Sequence, residues 1–257
     1  MRLIFIIAFA CACLELNAQV SEIKRSSSEN SDKSESSGKS GSGSSSSDLD
    51  NGGGGGGGAI FFDFLFGGIA EWQSFKLRDD RERYPSMVSL DVMLQTGIKP
   101  ASYYLLWPRI RGNWGLFATD FRMNYLIEEG PEGFEHIRTN DWQILQLNLV
   151  TSRFFTFKVG TGIMQEAFSD ERTFSETAFL MFVHAPDQSK LLGFEYRFSK
   201  DFDTGANPRW ELSAQYQHEL FNKGALHGYA TVGTVFQKYY NEIEVWGVQA
   251  GFVFRFF

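Results

Sequence analysis

WGVQAGFVFRFF, residues 246–257, is the stretch whose reading decides the fold. Trp246, Val248, Ala250, Phe252, Phe254 and Phe256 fall on one parity. Val245, Gly247, Gln249, Gly251, Val253 and Arg255 fall on the other. Alternation of this length is a β-strand with one apolar face. Phe257 stands one residue beyond the pattern.

Working back from this strand, the chain after Met87 breaks into segments of about ten residues, the length of a tilted transmembrane strand. Val88–Gln95 alternates Val88, Leu90, Val92 and Leu94 with Ser89, Asp91, Met93 and Gln95. Ser102–Gly112 sets Tyr104, Leu106 and Ile110 against Arg109 and Arg111. Pro108 weakens that segment as a mid-sheet strand, because proline donates no ladder hydrogen bond. Leu116–Ile127 sets Phe117, Phe121, Met123 and Tyr125 against Asp120, Arg122 and Asn124. Further segments follow at Trp142–Val150, Phe154–Met164, Ser175–His184, Leu191–Ser199, Trp210–Leu220, Ala225–Gln237 and Glu244–Phe256. The segments at 175–184 and 225–237 are ambiguous in parity. The count is about ten strands, with eight as the alternative.

Residues 87–257 resemble the small bacterial outer-membrane β-barrel proteins, whose last strand commonly ends on Phe. The resemblance implies an all-β, antiparallel transmembrane β-barrel at residues 85–257, in the outer membrane of a Gram-negative bacterium. Its surroundings would be outer-membrane lipid, and its partners during biogenesis periplasmic chaperones and the barrel assembly machinery. Phe252, Phe254, Phe256 and Phe257 are then the expected assembly signal, and the last strand should close against the first near Val88–Gln95. Loop lengths agree with such a barrel. Connections at Gly112–Gly115, Thr151–Arg153, Ala185–Ser189 and Asn222–Gly224 are short, whereas 128–141, 165–174 and 200–208 are longer and more acidic. Trp142, Trp210 and Trp246 each open a descending strand, with Tyr125 and Tyr239 at the same level, where interface aromatics belong. Trp142 shares its parity with Gln146, so a bulge near Ile144 is needed to turn it outward.

Composition narrows the class. Mean hydropathy is −0.23 and charged residues make up 21%, which argues against a helical membrane protein but leaves a barrel open, since lumen-facing polar residues alternate with lipid-facing apolar ones. Aromatic content is 16%, with 26 Phe, and a lipid face accounts for it directly. A net charge of −7 without a basic block argues against a nucleic-acid partner. Both cysteines, Cys11 and Cys13, lie in the first segment, so the chain after it has no disulfide, thiol chemistry or Cys-ligated zinc.

That first segment, 1–18, reads as a signal peptide: Arg2, then an apolar core Leu3–Ala12, with cleavage after Ala18. Lipoprotein processing at Cys11 or Cys13 is the rival. Residues 19–58 are a Ser-rich stretch followed by glycines at Gly52–Gly58, a composition that reads as a disordered periplasmic tether. Its reach would be roughly 35 Å for about 40 residues. In 59–84, Phe61, Leu65, Ile69 and Trp72 follow helical spacing and predict a short interfacial amphipathic helix, then a polar connector.

The lumen parity supplies Asp91, Arg109, Arg111, Asp120, Arg122, Lys158, Glu195, Arg197, Glu211, Glu219 and Arg255. Both signs are present in near balance, which predicts a closed, paired interior; a pore would more readily carry a ring of one sign. Chemistry has weak support. His136 sits in an acidic loop, His218 shares the lipid parity, and His184 and His227 flank short turns. Ser213 and Glu219 have no histidine on their face. Asp170 and Glu171 with Asp201 and Asp203 could form an acidic rim resembling that of a barrel protease, but no His–Asp spacing supports it; as a cation site, Asp201–Gly205 lacks the further oxygen ligands of a calcium loop. The expectation is therefore a structural or surface-interaction protein with no cofactor and an unknown extracellular ligand. A narrow porin-like channel and a lipid-modifying enzyme are the alternatives.

Overall fold

The computed structural model describes residues 19–37, 71, 73–74, 88–99, 102–130, 133–168 and 172–257. Ten strands follow one another: β1 Val88–Lys99, β2 Tyr103–Trp114, β3 Phe117–Gly130, β4 Gly133–Thr151, β5 Phe155–Glu166, β6 Thr173–His184, β7 Lys190–Lys200, β8 Arg209–Lys223, β9 Leu226–Tyr239 and β10 Ile243–Phe256. Each pairs antiparallel with its neighbours in sequence, and β10 returns to β1, so the sheet is a closed barrel. Closure leaves no unpaired edge. The closing register runs from Leu90↔Phe256 to Ile98↔Val248, where the terminal strand was expected to land.

The two faces of β10 decide inside from outside. Trp246, Val248, Phe252, Phe254 and Phe256 are exposed, while Val245, Gln249, Val253 and Arg255 are buried. The same division continues around the barrel, with Leu90, Val92, Leu94, Tyr104, Ile110, Leu192 and Leu212 outside. Asp91, Gln95, Arg109, Arg111, Glu195 and Glu211 lie inside. The outer surface is an apolar band and the interior is polar, the arrangement of a barrel whose solvent is lipid. Among the described residues no helix is long and apolar enough to cross a membrane.

Two irregularities follow from particular residues. The β4–β5 register shifts between Trp142 and Leu145. Ile144 and Leu145 both face out, Gln143 and Gln146 both face in, and Trp142 is thereby exposed. The bulge falls where Trp142 and Gln146 required it. Pro108 sits inside β2 opposite Leu94. On its other side the β2–β3 pairing skips Trp107 and Pro108 and resumes in the same register at Arg109↔Arg122, as a residue without an N–H would impose.

The barrel has a turn end, where β1 begins, β10 finishes and the even-numbered connections lie, and an opposite loop end. Residues 128–141, expected as a loop, are instead mostly strand: β3 and β4 run out to Gly130 and Gly133 as a protruding hairpin. Leu126 and Ile137 are its buried apolar contacts.

A second departure concerns 19–58. Gln19–Ser37 is an α-helix, α1, rather than disordered chain, and it packs on the loop end. Val20 and Ile23 are fully buried there in a cluster with Tyr103, Leu105, Trp107, Tyr239, Tyr240 and Val245. Ser26 and Ser27 are also buried; their small side chains let the helix approach closely. Composition gave no hint of this, because two apolar side chains and a run of serines suffice for the contact. The expected helix in 59–84 lies largely outside the described residues, of which Glu71, Gln73 and Ser74 are helical. Gln73 caps the β2–β3 turn at the other end of the barrel, donating to the Trp114 carbonyl at 2.7 Å and accepting from the Leu116 N–H at 2.5 Å. Residues 1–18 and 38–70, with the signal peptide and glycine run, also lie outside.

The bulge depends on close approach at Gly162, where an added Cβ would collide with the Trp142 carbonyl oxygen and lie 2.6 Å from Gln143 Cα. Gly162→Ala is expected to lower the stability of the refolded barrel by about 1–3 kcal/mol, as overpacking does, read as a shifted urea unfolding midpoint.

Candidate functional site

The interior is stratified along the barrel axis. At the loop end lies the apolar cluster capped by α1. Below it is a layer of ion pairs, and at the turn end a small polar chamber. The middle layer is the most constrained. Strand pairing sets Arg111 opposite Asp120 and Glu211 opposite Arg197, so inward parity alone places unlike charges side by side.

Arg109 donates from Nε to Asp120 at 2.8 Å and from Nη1 and Nη2 to Glu195 at 2.9 Å each. Its Nη2 also meets Asp120 in a short ion pair. Arg111 reaches Glu195 at 2.9 Å and Asp120 at 3.3 Å, and Arg197 reaches Asp120 at 2.7 Å. Three guanidinium groups thus share two carboxylates. A second group continues toward the loop end: Arg122 bridges Asp141 at 2.7 Å and Glu211 at 2.6 Å, and Arg209 bridges Asp141 at 2.6 Å and Glu176 at 3.1 Å. Glu176, 3.6 Å from Arg197, joins the two groups. Gln143 donates to Glu176 at 2.5 Å and Gln237 to Glu211 at 2.7 Å. All these charged side chains are buried. A charge taken out of water is tolerated only when paired and hydrogen-bonded, and here each carboxylate has at least two cationic or amide donors.

Of the residues expected in the lumen, Asp91, Arg109, Arg111, Asp120, Arg122, Lys158, Glu195, Arg197, Glu211 and Arg255 are buried inside. Glu219 is not. It lies at the turn-end rim, 2.7 Å from His227 Nδ1, so the pairing of Glu219 with a histidine, which the sequence reading denied, does exist. No hydroxyl hydrogen-bonds this histidine among the described residues, and its ring instead meets Phe257 edge-on at 4.7 Å. His184 is buried and contacts the Thr156 hydroxyl at 3.3 Å. His136 and His218 are exposed.

Asp141, Glu176 and Arg209 belong to the network and were not found from the sequence. Asp141 fell in an expected loop, Arg209 between the expected loop 200–208 and the strand expected from Trp210, and Glu176 in a segment whose parity could not be read. Among the interface aromatics, Trp142 and Trp246 are exposed, and Trp210 meets Phe236 in a tilted ring contact at 5.2 Å between centroids. Tyr125 is half-buried on the outer face. Tyr239, expected at that interface, points inward and is buried, because it shares the parity of Gln237 and Val235.

The loop end is fastened by polar contacts as well. Glu166 accepts from the Ser27 hydroxyl at 2.7 Å and from the Tyr240 hydroxyl at 2.6 Å. The Glu128 carboxylate accepts the Val20 N–H at 2.9 Å, and Lys24 pairs with Glu135 at 3.3 Å. Arg172 joins the Ser27 carbonyl, at 3.1 Å, to the Asp201 carboxylate, at 2.9 Å. Burial works to raise the Asp201 carboxyl, but the Thr204 hydroxyl, the Asp203 and Thr204 N–H groups and Arg172 together hold it below the ordinary range. The carboxylates of Asp201 and Asp203 form no metal cluster among the described residues; Asp170 and Glu171 lie outside them.

A closed ten-stranded antiparallel barrel with an apolar outer band and a paired interior has the form of a small outer-membrane β-barrel protein. No protein family and no curated relative matches the chain. Among solved structures, the N-terminal β-barrel domain of OprF from Pseudomonas aeruginosa is similar at 10% identity and a TM-score of 0.30, covering 66% of this chain and 98% of that one. The barrel's own register and faces, rather than that likeness, define the class.

Removing Asp120 leaves Arg109, Arg111 and Arg197 to share Glu195. Asp120→Ala is expected to cost about 3–5 kcal/mol, the penalty of an uncompensated buried charge, measured by urea unfolding. Combining it with Arg197→Met should recover part of the loss; a double variant as unstable as the sum of the singles would contradict the shared-charge geometry.

Proposed function

We propose that this chain is a closed barrel of a bacterial outer membrane that acts through its loop end, as a structural or surface-interaction protein. The observation that carries this reading is the filled interior. The ion-pair layer spans the lumen from Arg109 through Glu195, Arg197, Glu176, Arg209 and Asp141 to Arg122 and Glu211, and α1 with its aromatic cluster covers the loop end. A porin-like passage needs a continuous polar path, commonly lined by one sign of charge. A barrel of this size has an interior largely taken up by side chains.

Orientation follows from the way such barrels sit. With short turns and both barrel termini on the periplasmic side, the loop end faces out, and so does α1. The helix α1 would then not stay in the periplasm. The outward surface is made of α1, the β3–β4 hairpin and residues 201–208, where Phe134 and Phe202 are among the most exposed apolar side chains of the protein, at 70% and 73%. Both stand on the projecting segments that this reading makes the contact surface.

The reading is tested with single cysteines and a membrane-impermeant maleimide on intact cells. Phe202→Cys and Ser28→Cys should label, and Lys223→Cys should label only after the envelope is permeabilised. Labelling of Lys223→Cys alone in intact cells would reverse the orientation, and recovery of the unlabelled protein in the soluble fraction would end the membrane reading.

A further inference from the structure

The interior charges can be counted from the turn end to the Arg209 level. Arg109, Arg111, Arg122, Arg197 and Arg209 are matched by Asp120, Asp141, Glu176, Glu195 and Glu211. Arg255 is matched by Asp91, with Nε–Oδ1 at 2.7 Å and Nη2–Oδ2 at 3.0 Å. Lys158 is left over. Its ammonium is buried and donates to the Asn113 carboxamide oxygen; it forms no ion pair with a carboxylate among the described residues.

Lys158 faces a cavity of about 40 Å³ at the turn end, which Arg111, Asn113, Thr151 and Arg255 also line. The cationic groups there outnumber the carboxylates: Lys158, Arg111 and Arg255 line the cavity with Asp91 alone. Arg111 spends its Nη2 on the middle layer; among the described residues its buried Nε, the Thr151 hydroxyl and the amide oxygens of Asn148 and Gln217, which also line the cavity, make no hydrogen bond. The one carboxylate of the chamber, Asp91, is held in a two-bond pair by Arg255. Phe182 closes one wall, with Arg111 at 5.2 Å and Lys158 at 5.9 Å from its ring centre, so water is replaced by a ring on that side. A buried ammonium without a counter-charge is costly, and convergent donors around a small void are what an anion requires.

We propose that this chamber is a binding site for one small inorganic monovalent anion of halide size, held between Lys158 and the Nε of Arg111. The volume sets the size: a void of this order takes an ion or a very few waters, and a sugar or a phosphate ester does not fit. Arg255 lines both this chamber and a recess of about 230 Å³ at the turn-end rim, where Glu219, His227 and Phe257 lie. The anion would bring the interior to neutrality from Lys158 to Arg209.

The test uses the full barrel, refolded in detergent, with chloride varied against gluconate at constant ionic strength; gluconate is too large for the chamber. Thermal unfolding of the wild type is expected to shift upward with chloride and to saturate, as binding to the native state alone requires. Lys158→Met should fold, shown by its heat-modifiable gel shift, and should lose the chloride response. Crystals of the wild type grown in bromide give a readout that needs no variant: an anomalous peak within hydrogen-bonding distance of Lys158 Nζ and Arg111 Nε. Absence of that peak overturns the proposal. So does a chloride shift that is the same in Lys158→Met, which would make any bromide in the chamber an adventitious ion only.

Discussion

The fold depends on the pairing of charges that closure of the barrel removes from water. Once β10 joins β1, every second side chain points into a space with little room for solvent, and Asp120, Asp141, Glu176, Glu195 and Glu211 have to find cations there. They find Arg109, Arg111, Arg122, Arg197 and Arg209, at separations from 3.6 Å down to short ion pairs. Such pairs are poor sources of net stability, because desolvation offsets most of the attraction. Their effect is on register. A slip of one residue along any strand exchanges the inner and outer rows, which would put arginines into lipid and leucines into the ion-pair layer.

The two ends of the lumen are finished in different ways. At the turn end the ions give way to the chamber beside Lys158 and to small apolar groups, Met93 with Tyr229 and Val253, and Leu180 with Phe182 and Leu191. At the loop end, aromatic and aliphatic side chains rise above the charges, and α1 covers them with Val20 and Ile23. Most of the polar groups that α1 engages are acidic, Glu128, Glu135 and Glu166. The helix supplies them with an N–H, an ammonium and a hydroxyl. Two buried carboxylates, Glu128 and Glu166, thus meet α1 at one end, and Lys158 and Arg255 lie toward the other.

Much of this was legible in the sequence. The alternation of 246–257 set the faces of β10, and the conflict between Trp142 and Gln146 located the bulge, because only an extra residue lets both obey the apolar-out rule. Period-2 patterning fails where both faces are apolar. In β6, Phe174, Leu180 and Phe182 face in while Phe179, Met181 and Val183 face out, so Glu176 could not be assigned. It fails again where strands run past the apolar band, as β3 and β4 do, since polar alternation looks like a loop; Asp141 was lost that way. The α1 contact was illegible for a different reason. Its stabilisation comes from the mouth it covers and not from its own composition, so a Ser-rich segment reads as chain without structure. Tyr239 shows the converse hazard, an aromatic placed by height when parity decides.

The central claim is that paired side chains shut the lumen. Single-channel recording of the full-length protein in planar bilayers tests it most directly. The account predicts insertion, verified by heat-modifiable protein recovered from the membrane, with no stepwise current at moderate voltage. Steady, reproducible conductance steps from the intact protein would contradict it, because the paired side chains of Arg109, Asp120, Glu195 and Arg197 leave no path for a hydrated ion.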